Sequence, residues 1–321
     1  MNISPETLAV QSEATGFRPD ILEKVALLLQ LLDAVRSHPF LKDKLVLKGG
    51  TALNLFLFDV PRLSVDIDLN YVGAADRETM LTERPKVEQA LQAVFSRENF
   101  SVRRMPEEHA GGKWSLRYDG AFGQTGNLEV DLNFMYRVPL WPVMKSDSHP
   151  VGTWQATRIP VMDIHELAAG KLAALLTRRQ ARDLFDSHGI LQMENLDQDR
   201  LRIAFVVYGA MNRKDWRTVS VDDVNFDAEE LARQLIPTLR THPSEEQKRS
   251  RRASRTLGFG EGLRQAAPLQ RSSLQNERDE GRRDPRDLRS KRRRTEITRR
   301  RCFEALRDRG CRQSLEVGRC E

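Results

Sequence analysis

Apolar residues recur every three or four positions along several stretches of the chain. The first long stretch, residues 21–37, contains neither glycine nor proline and predicts an amphipathic or largely buried helix. Further helices are predicted at residues 51–58, 81–96, 163–188, 199–212 and 226–240. Asp163 is expected to cap the 163–188 segment, with Glu166 three residues later completing a capping box.

Other stretches alternate apolar and polar residues, and this period of two residues is typical of a strand. LSVDIDLNY at residues 63–71 alternates strictly, and residues 113–118 and 127–136 are also strand-like. Residues 45–48 form a short apolar strand that leads into a glycine turn. Since helices and strands are interspersed and no internal repeat occurs, the chain predicts an α/β (α+β) fold.

The strand at residues 63–71 carries two carboxylates on one face. Residues two apart in a strand point the same way, so Asp66, Asp68 and Asn70 share a face. Adjacent carboxylates repel each other unless a cation lies between them, and a hard divalent ion such as Mg²⁺ prefers oxygen ligands. The structural alternative is a solvated edge strand whose acidic residues bind nothing.

The later strand repeats this arrangement. In LEVDLNF at residues 128–134, Glu129, Asp131 and Asn133 share one face. If this strand lies beside the first, Asp131 supplies a third carboxylate, and the predicted metal ligands are Asp66, Asp68 and Asp131. Three carboxylates that hold divalent metal ions are the usual catalytic centre of enzymes that perform in-line phosphoryl or nucleotidyl transfer.

The turn Gly49-Gly50-Thr51 lies between a predicted strand and a predicted helix. Glycines let backbone N–H groups approach a phosphate, the start of a helix favours anions, and Thr51 adds a hydroxyl. Most such turns only reverse the chain, but a glycine turn followed by a D-x-D strand is a more specific combination. Arg62 and Ser64 flank that strand and are candidate phosphate contacts, although Arg62 could equally be a salt-bridged loop residue.

A second constellation lies in the segment 163–187. At 100° per residue in a continuous helix, Lys171, Arg178 and Arg182 fall within about 40° of one another, with Asp186 beside them. A basic face opposite a carboxylate cluster suits binding of a triphosphate. The alternative is an exposed helix face on which opposite charges four residues apart form ion pairs.

Charge is distributed unevenly over the 321 residues. Residues 246–321 hold 23 basic and 12 acidic residues, whereas the remainder holds 29 and 34. This tail is rich in arginine and poor in aliphatic residues, so it is predicted to be disordered. It is either a nucleic-acid-binding tail or an out-of-frame or erroneous extension. The predicted domains are therefore residues 1–160, residues 161–245 and the tail 246–321.

Cysteine content and hydropathy indicate the compartment in which the protein is expected. The three cysteines all lie in the tail, which excludes a disulfide scaffold for the rest of the chain and predicts a reducing compartment, the cytoplasm. A run of about 18 apolar residues is absent, so no transmembrane helix is expected.

The sequence KGGTALNLF followed by PRLSVDIDLNY resembles the AbiEii/AbiGii-type nucleotidyltransferase toxins of bacterial toxin–antitoxin and phage-abortive systems. This family lies in the superfamily that includes DNA polymerase beta, and the resemblance covers roughly residues 20–240. Thr51 stands where serine is more usual in the superfamily, and fourteen residues separate it from Asp66. Both departures favour the toxin subfamily over a polymerase.

The resemblance implies a small mixed sheet flanked by helices as a nucleotidyltransferase domain, then a helical domain. It implies Mg²⁺-dependent transfer of a nucleoside monophosphate from a nucleoside triphosphate (NTP) to a nucleic acid. The candidate acceptor is the 3′ end of tRNA, and a cognate antitoxin is implied. The expected catalytic residues are Asp66, Asp68, Asp131, Lys171 and Asp183, and the expected nucleotide-binding residues are Gly49, Gly50, Thr51, Arg62, Ser64, Lys171, Arg178 and Arg182.

Within this resemblance, Lys171 would contact the nucleotide, and Asp183 of the R-D-x-x-D motif would be essential or would position Lys171. Two alternatives stay open at this point. One is a nucleotidyltransferase that modifies a protein or a small molecule, which the acidic balance outside the tail favours. The other is a non-enzymatic nucleic-acid-binding protein that uses its basic tail.

Overall fold

The structure is a computed structural model that describes residues 3–104, 111–178, 180–212 and 214–241. The tail at residues 246–321, its predicted disorder and its three cysteines lie outside the described residues. Within the described ranges, no helix is both long and apolar enough to cross a membrane.

Helices account for much of the described chain. The α-helices are α1 (Pro5–Thr15), α2 (Pro19–Ser37), α3 (Gly49–Ala52), α4 (Arg77–Arg97), α5 (Ile164–Thr177), α6 (Ala181–Leu191), α7 (Gln198–Ala210) and α8 (Ala228–Glu230). Leu53–Leu57 continues α3 as a π-helix, and Leu231–Leu235 continues α8 in the same way. Short 3₁₀ turns follow at Trp216–Thr218, Val221–Asp223 and Ile236–Thr238.

The strands form one mixed sheet. They are β1 (Leu45–Lys48), β2 (Asp66–Tyr71), β3 (Ser101–Arg104), β4 (Gly111–Asp119), β5 (Thr125–Asn133), β6 (Met144–Ser146) and β7 (Ile159–Val161). Their order is β3-β4-β5-β2-β1-β7-β6. The pairs β2–β5 and β1–β7 are parallel and the others antiparallel. The predicted mixed sheet flanked by helices is confirmed.

Alternation along the strands separates an apolar face of the sheet from a polar one. Ile67, Trp114 and Val130 are buried on the apolar face, while their chain neighbours on the other face are exposed or half-buried. The ring of Phe95 from α4 packs on Trp114 with centroids 6.1 Å apart. The same core includes Leu167 of α5, so it extends past residue 160. The domain boundary proposed there stays a prediction.

Local signals account for most helix boundaries. Helix α2 starts two residues before the predicted segment, with a proline in its first turn, where a missing N–H costs nothing. Helix α4 begins at Arg77 rather than 81 because the Asp76 side chain accepts the N–H of Thr79. The predicted 226–240 helix is three short helical segments, the last of which contains Pro237.

The prediction of one continuous helix over 163–187 is wrong. Helix α5 ends at Thr177, and Arg178 is extended at φ −124° and ψ 120°. Helix α6 starts at Ala181, whose N–H donates to the Glu230 carboxylate at 2.6 Å. Lys171, Arg178 and Arg182 therefore do not share a helix face. Ion pairs between the two helices, described below, outweigh the local helical preference.

The predicted capping box is half right. Asp163 caps α5, since its side chain accepts the N–H of His165 at 2.8 Å. Glu166 does not complete the box. Its buried carboxylate accepts hydrogen bonds from the N–H groups of Leu140 and Trp141 and the hydroxyls of Tyr136 and Tyr208. Burial raises the pKa of Glu166, and these hydrogen bonds oppose the rise.

Candidate active site

Four charged residues lie in one row across the middle of the sheet. Lys48 of β1 is opposite Asp68 of β2, Asp68 is opposite Asp131 of β5, and Asp131 is opposite Lys113 of β4. Residues directly opposite each other share a face, and adjacent strands are about 4.8 Å apart. The expectation that Asp131 lies beside the D-x-D strand is therefore confirmed.

The carboxylates of this face are largely uncompensated. Asp66, Asp68 and Asp131 are each half-buried, and Asp66 lies opposite Glu129 in the neighbouring row. Among the described residues, Asp68 and Asp131 have no hydrogen-bond or ion-pair partner, and Asp66 has one 3.5 Å side-chain contact, from Arg182. Uncompensated negative charge of this kind favours a cation.

The glycine turn touches the D-x-D strand directly. Gly49 has φ +74°, a conformation that favours glycine, and a Cβ added there would lie 2.0 Å from Oδ2 of Asp68. No side chain fits between them. The turn and the carboxylate row, which are separate motifs in the sequence, form one site in the fold.

The Thr51 hydroxyl ties the turn to the D-x-D strand, and Ser64 and Arg62 lie beside Gly50. Thr51 is buried, and its Oγ1 donates to the backbone carbonyl of Asp66. A Cβ added at Gly50 would lie 3.0 Å from Oγ of Ser64 and 3.2 Å from Nη2 of Arg62. All the residues predicted around the turn are therefore in place, and phosphate binding by Thr51 and Ser64 stays a prediction.

A buried ion pair lies behind the turn. Arg62 donates from Nε and Nη2 to the two carboxylate oxygens of Asp186 at 2.8 and 2.7 Å. The two side chains are 2% and 0% exposed. Burial would raise the pKa of Asp186, but the charges of Arg62 and Lys171, with hydrogen bonds from Arg62 and Asn54, hold it well below its usual range. The geometry thus matches the salt-bridged alternative for Arg62.

Lys171 joins this pair to a second carboxylate. Its Nζ lies 2.9 Å from Oδ1 of Asp183 and 3.0 Å from Oδ2 of Asp186. Arg178, past the end of α5, donates to Asp183 at 3.2 Å. Asp183 is 2% exposed and orients both cations, which agrees with the positioning role expected for it. We call Arg62, Lys171, Asp183 and Asp186 the buried charge network.

Arg182 connects the network to the D-x-D strand. It lies next to Asp183 in α6, and its Nη1 is 3.5 Å from Oδ2 of Asp66. Its Nε is 4.0 Å from the Glu230 carboxylate. The break between α5 and α6 thus directs Arg182 to the metal-ligand candidates and leaves Arg178 at the rim.

Two residues of the site were missed by sequence reasoning. Asn54 is fully buried and donates from Nδ2 to the Gly50 carbonyl at 3.0 Å and to Asp186 at 3.1 Å. Its isolation in the apolar run LNLFLF was an available signal. Lys24 of α2 is half-buried; burial lowers its pKa, and the charges of Asp66 and Glu129 oppose this. A lysine within the apolar pattern of α2 was the corresponding signal.

The donor chemistry fits a hard divalent cation. Asp66, Asp68 and Asp131 offer carboxylate oxygens from one face of the sheet, with little compensating charge. In the described parts of the chain, no group of three or more His, Cys, Asp or Glu side chains is arranged so that it could hold a metal ion. The adjoining turn and cations suit a polyphosphate.

Comparisons with known proteins agree with this chemistry. The sequence matches the family described as "Nucleotidyl transferase AbiEii toxin, Type IV TA system" over residues 30–283. The fold is similar to the nucleotidyltransferase toxin MenT4 of Mycobacterium tuberculosis H37Rv, with a TM-score of 0.55, 19% identity, and coverage of 94% of this chain and 98% of MenT4. JHP933 of Helicobacter pylori gives a TM-score of 0.41 and 16% identity, covering 65% and 88%. No curated protein gives a significant match.

Replacing Gly49 by alanine tests the contact between the turn and the strand. G49A is expected to lower the free energy of unfolding by more than 1 kcal/mol beyond G123A, roughly the added cost of overpacking. Gly123 is the matched control, because it also has positive φ (+79°) but nothing lies within 4 Å of an added Cβ. Urea unfolding measures both variants, and equal losses would show that Asp68 does not press on the turn.

Replacing Asp186 by asparagine tests the buried charge network. D186N is expected to cost about 3–5 kcal/mol of unfolding free energy, because two buried cations lose a shared partner. The control is D215N, in an ion pair whose arginine is 90% exposed, for which a much smaller loss is expected because solvent screens the pair. Urea titration with an unchanged m-value measures the free energy of unfolding of both variants. If D186N loses no more of it than D215N, the role given to the network is contradicted.

Proposed function

We propose a specific reaction for this chain, which belongs to the AbiEii family of nucleotidyl transferase toxins of type IV toxin–antitoxin systems. The resemblance inferred from the KGGT and D-x-D motifs is thereby confirmed, and the protein is a nucleotidyltransferase. We propose that it transfers a nucleoside monophosphate from an NTP to the 3′ end of an RNA, with tRNA as the candidate, and releases pyrophosphate.

The metal would be Mg²⁺, held by Asp66, Asp68 and Asp131. When bound, it neutralises the charge that develops on the phosphates during transfer. Two observations support this assignment: the register that aligns β2 with β5, and the lack of a direct hydrogen-bond or ion-pair partner for Asp68 and Asp131 among the described residues. Asp131 would also accept the proton of the acceptor hydroxyl, since it lies on the outer side of the carboxylate pair.

The triphosphate would lie on the turn at residues 49–51. Backbone N–H groups at the start of α3 and the cations Lys171, Arg178 and Arg182 would bind its oxygens. Asp183 and Asp186 both lie within 3.0 Å of the Lys171 ammonium and would hold it in position. Arg62 is proposed to act through Asp186 rather than by direct phosphate contact, because its guanidinium is fully engaged and buried.

One observation carries the proposal: the glycine turn touches Asp68, and Asp68 lies in register with Asp131. This contact supports the proposal that the turn binds the phosphates while the neighbouring carboxylates hold the metal. A cytoplasmic location would supply both NTP and RNA. A cognate antitoxin, as in the family, would be the partner that limits growth arrest.

Family membership removes the non-enzymatic alternative. A protein or small-molecule acceptor keeps one supporting observation, the acidic balance outside the tail, with 34 acidic and 29 basic residues. Local charge decides recognition more than net charge does, and the row of the active face ends in lysines on both sides. We therefore favour RNA.

A transfer assay tests the reaction. The full chain is incubated with each labelled NTP in turn, Mg²⁺ and total cellular RNA. Label is expected on RNA from the wild type and at least ~100-fold less from D68N or K171M, since each loses charge stabilisation of the transition state. D199N, an exposed substitution in α7, is the control and should match the wild type.

Each outcome of this assay is informative. Chelation of divalent ions with EDTA should abolish labelling, and Mg²⁺ should restore it. Label on protein or on a small molecule instead of RNA would replace the proposed acceptor. Undiminished labelling by D68N would contradict the assignment of the metal site.

A further inference from the structure

We propose that Lys113, at the end of the charged row farthest from the glycine turn, binds a backbone phosphate of the acceptor RNA. The acceptor would then lie along the polar face of β4. This inference rests on the proposed function, because it assumes transfer to RNA. Lys48 would then lie on the nucleotide side of the carboxylates and Lys113 on the acceptor side.

The position of the nucleotide determines the side from which the acceptor approaches. The turn follows Lys48 at the end of β1, and the buried charge network contacts Gly50 from the same side. In an in-line transfer the attacking and leaving oxygens lie on opposite sides of the phosphorus atom. With the triphosphate on the β1 side of the carboxylates, the acceptor hydroxyl approaches from the β4 side, beyond Asp131.

Lys113 is charged and can exchange its partner. Its side chain is 57% exposed and is paired only with Glu129, at 3.0 Å, among the described residues. An ammonium group this exposed to solvent is charged at neutral pH. An exposed pair of this kind is worth at most about 1 kcal/mol, so a phosphate can replace the carboxylate at little cost.

The surface that continues from Lys113 is polar and open. Ser115 and Arg117 follow on the same face of β4, and Arg117 is about 13 Å from Lys113 along the strand. Trp114 and Leu116, the alternate residues of β4, are buried on the opposite face, whereas Thr125 and Asn127 of β5 on the polar face are exposed. Cations and hydroxyls on an open, non-apolar face are typical of contacts to a nucleic-acid backbone.

Binding of 5′-labelled tRNA to the full chain, measured by fluorescence anisotropy from low to high salt, tests the inference without requiring transfer. K113Q is expected to weaken binding about 3- to 10-fold and to reduce the slope of log affinity against log salt by about 0.7 to 1. K113R should bind as the wild type does. K42Q is the matched control, because Lys42 is also 57% exposed and paired with an acidic neighbour, far from the row.

A second measurement separates this inference from the proposed function. Equilibrium dialysis with labelled Mg-NTP should give the same affinity for K113Q and wild type, whereas a loss would place Lys113 on the nucleotide side and overturn the inference. Identical tRNA binding by K113Q and K42Q would also overturn it, as would a wild type that binds no tRNA. If K113Q alone loses tRNA binding but wild type labels no RNA, the binding surface stands and the transfer reaction fails.

Discussion

The active face depends on one buried carboxylate, that of Asp186. It has no contact with water, so it is stable as an anion only while Arg62 and Lys171 remain beside it. Those partners come from the loop before β2 and from α5, and Asn54 adds a bond from the π-helix after the turn. One charge therefore fixes four separate segments of the chain relative to each other, and through Asn54 it fixes the carbonyl of Gly50.

The network supports a face that is otherwise electrostatically unfavourable. Asp66, Asp68 and Asp131 lie side by side because the apolar residues between them are committed to the core, which leaves their strands no other register. The resulting repulsion is the property that makes the face receptive to a cation. The buried ion pairs behind the turn fix the segments around it, while the half-buried carboxylates on its other side are those proposed to hold the metal.

Much of this site could be predicted from the sequence, because the period of a strand is local information. Alternation assigned Asp66 and Asp68 to one face and Asp131 to a similar one, and the sheet then aligned them. The direction of Arg178 could not be predicted, because the helix breaks to form ion pairs with residues that follow it. The capping role of Glu166 was wrong because its actual partners lie 25 to 42 residues away along the chain.

The central claim is that Arg62 supports the site while the turn and the carboxylate row bind the nucleotide. A crystal structure with Mg²⁺ and a non-hydrolysable NTP analogue tests it most directly. The account predicts the triphosphate on the turn at residues 49–51, the metal among Asp66, Asp68 and Asp131, and an intact Arg62–Asp186 pair. A nucleotide bound elsewhere, or Arg62 released from Asp186 to hold a phosphate, would contradict it.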